Sequence, residues 1–171
     1  MSCINRIFIF NIKTTSTNIK NVIHEIVDSI NASLLLSHSL RNDTLLIIKF
    51  DDEVALKVDG RFLKGYRPDL QSAKGLILKA IVKGRVKGLW LVKERDIKPL
   101  EYNEEYYHII VDKTGKPLKN EKPPGKTIVH LNYNVEVKKS IKVSLTPNIY
   151  TIPQKIIIIN NWLDGGVVSW S

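Results

Sequence analysis

A buried strand followed by an amphipathic helix is encoded by the segment RIFIFNIKTTSTNIKNVIHEIVDSI, residues 6–30. Arg6–Lys13 holds five closely spaced apolar side chains and no helical period, which is the pattern of a buried strand. A helix is predicted between the polar stretch Thr14–Asn18 and the residues Asn31 and Ala32, which should end it. Its apolar residues recur at the spacing of one helix face: Ile19, Val22, Ile23, Ile26, Val27 and Ile30. Because such a helix must bury its apolar face against another element, the segment predicts an α/β sheet.

The alternation of strands and helices continues along the chain. The predicted strands are Thr44–Phe50, Val54–Val58, Leu89–Val92, His108–Val111, Thr127–Leu131 and Ile141–Leu145. One helix opens at Pro68–Asp69 and the last spans Pro153–Leu163. The first two of these strands flank a short turn and should form a hairpin, whereas Lys93–Glu105 and Lys116–Gly125 are expected to be connections. Residues 1–171 are therefore predicted to form one α/β domain with helices on the faces of its sheet.

The chain is basic, with 26 Lys and Arg against 17 Asp and Glu and a formal net charge of +9. A surplus of this size favours a polyanionic partner such as nucleic acid. The alternative is solubility, since Lys-rich surfaces also occur in heat-adapted proteins. Hydrophobic residues make up 43% of the chain, which is typical of a globular protein and excludes general disorder.

Several classes of site are excluded by residue type and spacing. The single cysteine, Cys3, cannot form an intramolecular disulfide or a Cys-rich zinc site, and the four histidines have no metal-ligand spacing, so no metal is expected. No apolar run reaches the roughly 18 residues that cross a bilayer, and Met1–Phe10 lacks the pattern of a signal peptide. We therefore expect a cytoplasmic protein with no membrane partner.

Two separated stretches carry motifs of one known family: LLSHSLRND at Leu35–Asp43 and VSLTPNIYTIPQKIIIINNWLD at Val143–Asp164. The first resembles the Leu-Ser-His-x-x-Arg-x-Asp segment of the archaeal tRNA (pseudouridine-54 N1)-methyltransferases, which belong to the SPOUT class. The similarity continues through the predicted hairpin to Arg67–Asp69. The second resembles the family's Ser-Leu-Ser-Pro turn and closing helix. Two matches in the family's order are more specific than either alone.

The resemblance implies a SPOUT fold, in which a largely parallel sheet is flanked by helices and the C-terminal segment forms a trefoil knot. It also implies a homodimer that holds tRNA over both subunits. The methyl donor, S-adenosyl-L-methionine, would lie in the knot loops. The implied reaction is methylation of N1 of pseudouridine 54 in the T-arm of tRNA. Because the donor's sulfonium is already activated, the protein would mainly align the reactants and help to remove the N1 proton.

Three strand ends are expected to form the donor pocket. Carried over residue by residue, the resemblance assigns it Ile110, Leu131, Asn132, Ser144, Leu145, Thr146, Pro147 and Ile149. The family has a glycine in its second knot loop, where this chain reads IVHLNYN at 128–134. We predict that Asn132 or Asn134 adopts the left-handed backbone conformation in its place. Lys155 stands where the family often has cysteine.

The first motif supplies the predicted acceptor site. Asp43 is the candidate to accept the N1 proton, and Arg41 is the candidate to fork onto a phosphate or a base edge. Two alternatives stay open. Asp43 can instead orient Arg41, and His38 either contacts RNA or only hydrogen-bonds within its loop.

Basic residues in and after the second helix are candidates for phosphate contacts. They are Lys74, Lys83, Arg85 and Lys87, for which a solvated helix face is the alternative. Trp90 and Trp162 have rings that can stack on bases, but both are expected in the core.

Three functions are compatible with these patterns. The first is the tRNA pseudouridine methyltransferase described above. The second is a catalytically degenerate SPOUT homologue that acts as an RNA-binding or interaction protein, which the missing glycine favours. The third is a SPOUT methyltransferase for another RNA base, because a donor site says little about the acceptor.

Overall fold

The computed structural model describes residues 3–145 and 150–166. These residues form an eight-stranded sheet of order β4-β5-β3-β2-β1-β7-β6-β8 and four α-helices. In chain order the elements are β1 (Arg6–Asn11), a 3-10 turn (Lys20–Val22), α1 (Ile23–Leu34), β2 (Thr44–Lys49), β3 (Val54–Asp59), α2 (Leu70–Lys83), β4 (Arg85–Val86), β5 (Leu89–Lys93), α3 (Glu94–Glu101), β6 (Tyr107–Pro117), β7 (Thr127–Leu131), β8 (Ser140–Ser144) and α4 (Ile152–Leu163).

The sheet has a parallel half and an antiparallel half. Strands β2, β1, β7, β6 and β8 run parallel, whereas β3, β5 and β4 extend the sheet by antiparallel pairing. The α/β prediction and the predicted hairpin are confirmed, but the sheet is mixed. The reason is connection length: β2 and β3 are joined by a short turn, which permits antiparallel pairing only.

Several elements differ from the predictions. Helix α1 does not stop at Asn31 but runs to Leu34, which is fully buried. Lys93–Glu105 contains the unpredicted helix α3, whose apolar signal is short and which has Pro99 inside it. Strand β6 continues to Pro117 and pairs again with β8 after an irregularity, so the predicted loop starts later.

The two faces of the sheet are covered unequally. Helices α1, α2 and α4 pack on one face and share the larger hydrophobic core. On the other face, Ile97 of α3 and Tyr106 cover a smaller cluster that includes Ile9 and Ile47. Part of this second face, around Trp90 of β5, stays partly exposed, so the prediction that Trp90 lies in the core is wrong. Trp162 is in the core as predicted, at 2% exposure, and its Nε1 donates to the Lys119 carbonyl at 2.6 Å.

Candidate functional site

A cavity of about 320 Å³ lies where the carboxyl ends of β7 and β8 and the irregularity in β6 after Val111 meet the first turn of α4. The parallel register places Val111 beside Leu131 and beside Val143, which brings these parts of the three strands together. The lining residues are Val111, Asp112, Lys113, Asn132, Tyr133, Asn134, Leu145 and Lys155. The structure thus puts two predicted donor residues, Asn132 and Leu145, in one cavity.

The other predicted donor residues lie behind this lining or outside the described chain. Ile110, Leu131 and Ser144 are buried one residue before the cavity residues of their strands. Thr146, Pro147 and Ile149 lie outside the described residues. Asp112 and Lys113, which the sequence analysis did not single out, are part of the lining. Their position directly after a predicted buried strand was the available signal.

The turn after β7 has the conformation that was predicted for it. Asn132 has φ 56°, in the left-handed region that asparagine tolerates better than most residues. Its side-chain amide bonds both backbone groups of Asn11: Asn11 N donates to Oδ1 at 3.0 Å, and Nδ2 donates to Asn11 O at 2.8 Å. The amide therefore acts as one more peptide group between β7 and β1, and it holds the turn in the shape that a glycine would otherwise permit.

A chain of buried hydrogen bonds runs from this turn into the sheet. The Tyr133 hydroxyl is 2.7 Å from His130 Nδ1, His130 Nε2 is 2.8 Å from His108 Nδ1, and His108 Nε2 is 2.8 Å from the Asn103 carbonyl. The carbonyl can only accept, so His108 Nε2 donates to it, whereas the donors of the other two hydrogen bonds depend on the tautomers of the two rings. Burial above all, then the neighbouring His108 and Lys49, lowers the pKa of His130 to about 3. His130 is therefore neutral at physiological pH.

The ring of Tyr133 is packed under a buried ion pair. Lys49 Nζ lies 2.9 Å from Glu101 Oε1 and 4.2 Å from the Tyr133 ring centroid. Burial and the negative charge of Glu101 raise the pKa of the Tyr133 hydroxyl, which stays protonated. Helix α3, which carries Glu101, thereby fixes the loop that lines the cavity. No sequence signal pointed to this support, because α3 itself was not predicted.

At the opposite end of the parallel strands the side chains are charged. Arg41 forks onto Asp164, with Nη1–Oδ1 at 3.0 Å and Nη2–Oδ2 at 2.6 Å, and Arg6 Nη1 reaches the same carboxylate at 3.1 Å. Burial works to raise the pKa of Asp164, but the Arg41 hydrogen bond and the charges of Arg6 and Arg41 outweigh it and hold the pKa below its ordinary value. The alternative in which Asp43 orients Arg41 is therefore wrong: the carboxylate that holds Arg41 comes from the end of α4.

The carboxylate of Asp43 faces a different cavity. It accepts hydrogen bonds from the Thr44 hydroxyl at 3.0 Å and, weakly, from the Asn5 amide at 3.5 Å. The cavity holds about 430 Å³ and is lined by Asn5, Arg6, Asp43, Lys122, Pro123, Pro124, Gly125, Lys126, Thr127 and Leu163. A carboxylate among several cations can both accept a proton and sit close to phosphates.

The two predicted parts of the site lie at opposite edges of the sheet within one chain. Asp43 precedes β2 at the edge where the parallel strands begin, level with Arg6 and Thr127. Asn132 follows β7 at the edge where the parallel strands end. A five-residue strand separates the edges by about 17 Å. Sequence motifs that are read one at a time carry no information about this separation.

A groove of about 690 Å³ between α1 and α4 connects the two edges. It is lined by Asp28, Asn31, Ala32, Leu35, Arg41, Thr151, Pro153, Gln154, Ile157, Asn160, Asn161 and Asp164. Ile157 is 56% exposed in this groove although it lies in an apolar helix. Asn160 ties the helices together, with Nδ2 donating to the Ala32 carbonyl at 2.9 Å.

The predicted RNA-binding residues are not one patch. Lys74 and Lys83 are both exposed on α2. They are nine residues apart, and because each residue turns the helix by about 100°, they lie on nearly opposite sides of it. Arg85 pairs with Trp90 on the sheet face that α2 does not cover. His38 is exposed in its loop.

Within residues 3–145 and 150–166, no group of three His, Cys, Asp or Glu side chains can hold a metal ion. None of the helices there has the length and apolar character needed to cross a membrane.

Comparison with known proteins identifies the family. No protein-family model matches the chain. A tRNA (pseudouridine(54)-N(1))-methyltransferase of Methanocorpusculum labreanum is 32% identical over 157 residues, which cover 79% of this chain and 79% of that protein. The crystal structure of Archaeoglobus fulgidus Nep1 bound to S-adenosylhomocysteine superposes with a TM-score of 0.63 at 14% identity, covering 94% of this chain and 97% of the other. The fold is thus that of Nep1, and the chain belongs to the tRNA (pseudouridine(54)-N(1))-methyltransferase family.

Proposed function

We propose that this protein transfers a methyl group from S-adenosyl-L-methionine to N1 of pseudouridine 54 in tRNA. The observation that carries the proposal is the cavity at the carboxyl ends of the parallel strands, together with the membership of the family. The missing glycine favoured a degenerate homologue without a donor. Asn132 has the left-handed backbone conformation that a glycine would permit, and this supports donor binding over that alternative.

The residues of this cavity suit the donor's mixed chemistry. Val111 and Leu145 offer apolar surface for the adenine ring, and backbone groups at Leu131 and Asn132 can meet its polar edge. Hydrogen bonds from Thr114 hold the pKa of Asp112 below its ordinary value, so its side chain is a carboxylate. This carboxylate can accept hydrogen bonds from the ribose hydroxyls of the donor. Lys155 can pair with the donor's carboxylate. Thr146, Pro147 and Ile149 complete the pocket in this proposal, and the bound donor supplies the activated methyl group.

The C-terminal knot is part of the proposal. The connection between β6 and β7 lies over the closing helix: Trp162 donates to the Lys119 carbonyl, and Lys122 Nζ donates to the Leu163 carbonyl at 2.7 Å. If the chain passes under this connection before it forms α4, the end of β8 would be held against β6 and β7. The donor cavity would then depend on threading as well as on side chains.

The acceptor site is proposed to require a second protomer. Asp43 and the donor cavity lie at opposite edges of one chain, so they can act on one nucleotide only if two chains contribute. The α1–α4 groove with the exposed Ile157 is the surface that we assign to a two-fold dimer, in which the same patch of both subunits would meet. We expect a mass of about twice 19.5 kDa by light scattering. Asp43 from one protomer would accept the N1 proton while the other holds the donor.

Methyl transfer to tRNA tests the function directly. The measurement is incorporation of labelled methyl into transcripts that carry pseudouridine or uridine at position 54, with the product located by mass spectrometry. Methylation of the pseudouridine transcript alone is expected. Equal methylation of both, or of another position, would favour the enzyme for another base. Tight tRNA binding with no donor binding by calorimetry would favour the non-catalytic homologue.

A further inference from the structure

An aromatic pair surrounded by cations lies on the antiparallel half of the sheet, away from the donor cavity. The rings of Phe62 and Trp90 meet edge to face, with centroids 5.9 Å apart and an interplanar angle of 89°. Phe62 is 40% exposed. A cavity of about 490 Å³ opens beside the rings, lined by Phe62, Arg85, Lys87, Gly88 and Trp90. We call these two rings and the cations around them the aromatic cluster.

The backbone is built to hold the two rings together. Lys87 and Gly88 form the two-residue turn between β4 and β5, with φ 43° and 91°, as a type I′ hairpin requires. A Cβ at Gly88 would lie 2.6 Å from Leu63 N and 2.7 Å from Phe62 C, so only glycine lets the hairpin pack on this backbone. The Asp59 amide donates to the Gly88 carbonyl at 2.9 Å. This close approach sets Phe62 beside Trp90.

Cations flank both rings. Lys57 and Arg85 each stand directly opposite Trp90 in the sheet, and their charged groups lie 5.6 and 5.4 Å from its ring centroid. Within the described part of the chain, no carboxylate lies at ion-pair distance from Lys57, Arg85 or Lys87. Arg61 lies over Phe62, with Cζ at 5.2 Å from the ring centroid, and the buried Asp59 holds it by two hydrogen bonds at 3.0 and 2.7 Å.

The aromatic cluster adjoins the predicted acceptor site. The Gly60 amide donates to the Thr44 carbonyl at 3.0 Å, and a Cβ at Gly60 would clash with the Arg41 carbonyl oxygen. The segment that carries Phe62 therefore packs directly on the loop that carries Arg41 and Asp43. A nucleic acid that reaches Asp43 would pass close to the two rings.

We infer that the aromatic cluster binds an unpaired base of the RNA substrate by stacking, with the neighbouring phosphates on Lys57, Arg85 and Lys87. Exposed aromatic rings interleaved with cations are the means by which proteins hold single-stranded nucleic acid. A surface needed only for solubility would carry the cations without the rings. The inference rests on the proposed function for the identity of the RNA, but not on methyl transfer.

The experiment measures tRNA affinity and tryptophan fluorescence in the full chain at low salt. Phe62→Ala should weaken binding by about 5- to 150-fold, the range for losing one stacked base. Tyr102→Ala is the matched control, because Tyr102 is an aromatic residue with 47% exposure, and it should bind like the wild type. Binding should quench the wild-type fluorescence, and Trp90→Phe, which keeps a ring, should remove most of that quenching. If Phe62→Ala fails to fold by circular dichroism, Phe62→Leu replaces it.

The outcomes separate this inference from the proposed function. Unchanged affinity of Phe62→Ala and unchanged quenching in Trp90→Phe would overturn the inference even if the enzyme methylates tRNA. Weakened binding in Phe62→Ala would support it even if no methyl is transferred. If polyglutamate binds the wild type as tightly as tRNA and loses affinity equally in Phe62→Ala, the cluster takes an acidic protein segment and the inference is wrong.

Discussion

The two edges of the parallel strands are built from different interactions. At the carboxyl edge, Asn132, Tyr133 and His130 shape a cavity through hydrogen bonds between uncharged groups. At the amino edge, Arg6, Arg41 and Asp164 form a charged and partly exposed cluster. The first edge depends on backbone shape and on keeping His130 neutral, whereas the second depends on charge. The difference indicates that the carboxyl edge suits a small ligand with polar edges and that the amino edge suits a polyanion.

The largest expected effect is on chemistry at the amino edge. Asp43→Asn keeps the shape of the side chain and removes its basicity, so methyl transfer should fall by about 10²–10⁴ if Asp43 accepts the proton. Binding of tRNA should persist or tighten slightly, because a negative charge is lost. Rates under single-turnover conditions and tRNA affinity should be measured together. A parallel loss of affinity and activity would show that Asp43 only holds its loop.

The next effect tests backbone shape at the carboxyl edge. Asn132→Ala loses two hydrogen bonds to Asn11 and places alanine in a left-handed conformation, so the free energy of unfolding should fall by about 2–4 kcal/mol. Asn132→Gly is the matched control: it loses the same bonds but accepts the conformation, so it should lose about 1–2 kcal/mol. Urea unfolding gives both values. Equal losses in the two variants would mean that the conformation contributes nothing.

A pH titration tests whether the folded protein keeps His130 neutral. The pKa of His130 is about 3 in the folded protein and near 6.5 when unfolded, so the unfolded state binds more protons between these values. This contribution to stability is complete above pH 6.5 and is lost as the pH falls toward 3, at roughly 1.4 kcal/mol per pH unit. Unfolding free energies at pH 7, 6 and 5 should reveal the slope. It should flatten in His130→Gln and persist in His38→Gln, where the histidine is exposed.

The smallest effect concerns the ion pairs of the amino edge. Asp164→Asn weakens the contacts to Arg41 and Arg6, but the Asp164 side chain is 42% exposed and solvent screens it. We expect a loss of about 1 kcal/mol or less in unfolding free energy at low salt, shrinking at 1 M salt. A loss that salt does not change would mean that the cluster acts as a buried network, which would erase the contrast between the edges.

Much of the fold could be predicted from local patterns. The strand Arg6–Asn11, the hairpin of β2 and β3 and the cap of α2 at Asp69 all carry their signals within a few residues. Helix α3 could not be predicted, because its short apolar face is visible only when Ile97 packs against the sheet. The same holds for Glu101, whose burial makes sense only beside Lys49 from a strand 52 residues earlier.

The candidate site divides in the same way. By itself, the sequence determined the family, the strand ends that line the cavity at the carboxyl edge and a left-handed asparagine at position 132 or 134, because each is a matter of residue type and local order. Only the tertiary structure decided that Asp164 rather than Asp43 holds Arg41, that Asp43 and Asn132 stand at opposite edges, and that Phe62 meets Trp90. These relations depend on strand order and on contacts between residues far apart in the chain, and no local pattern encodes a distance across a sheet.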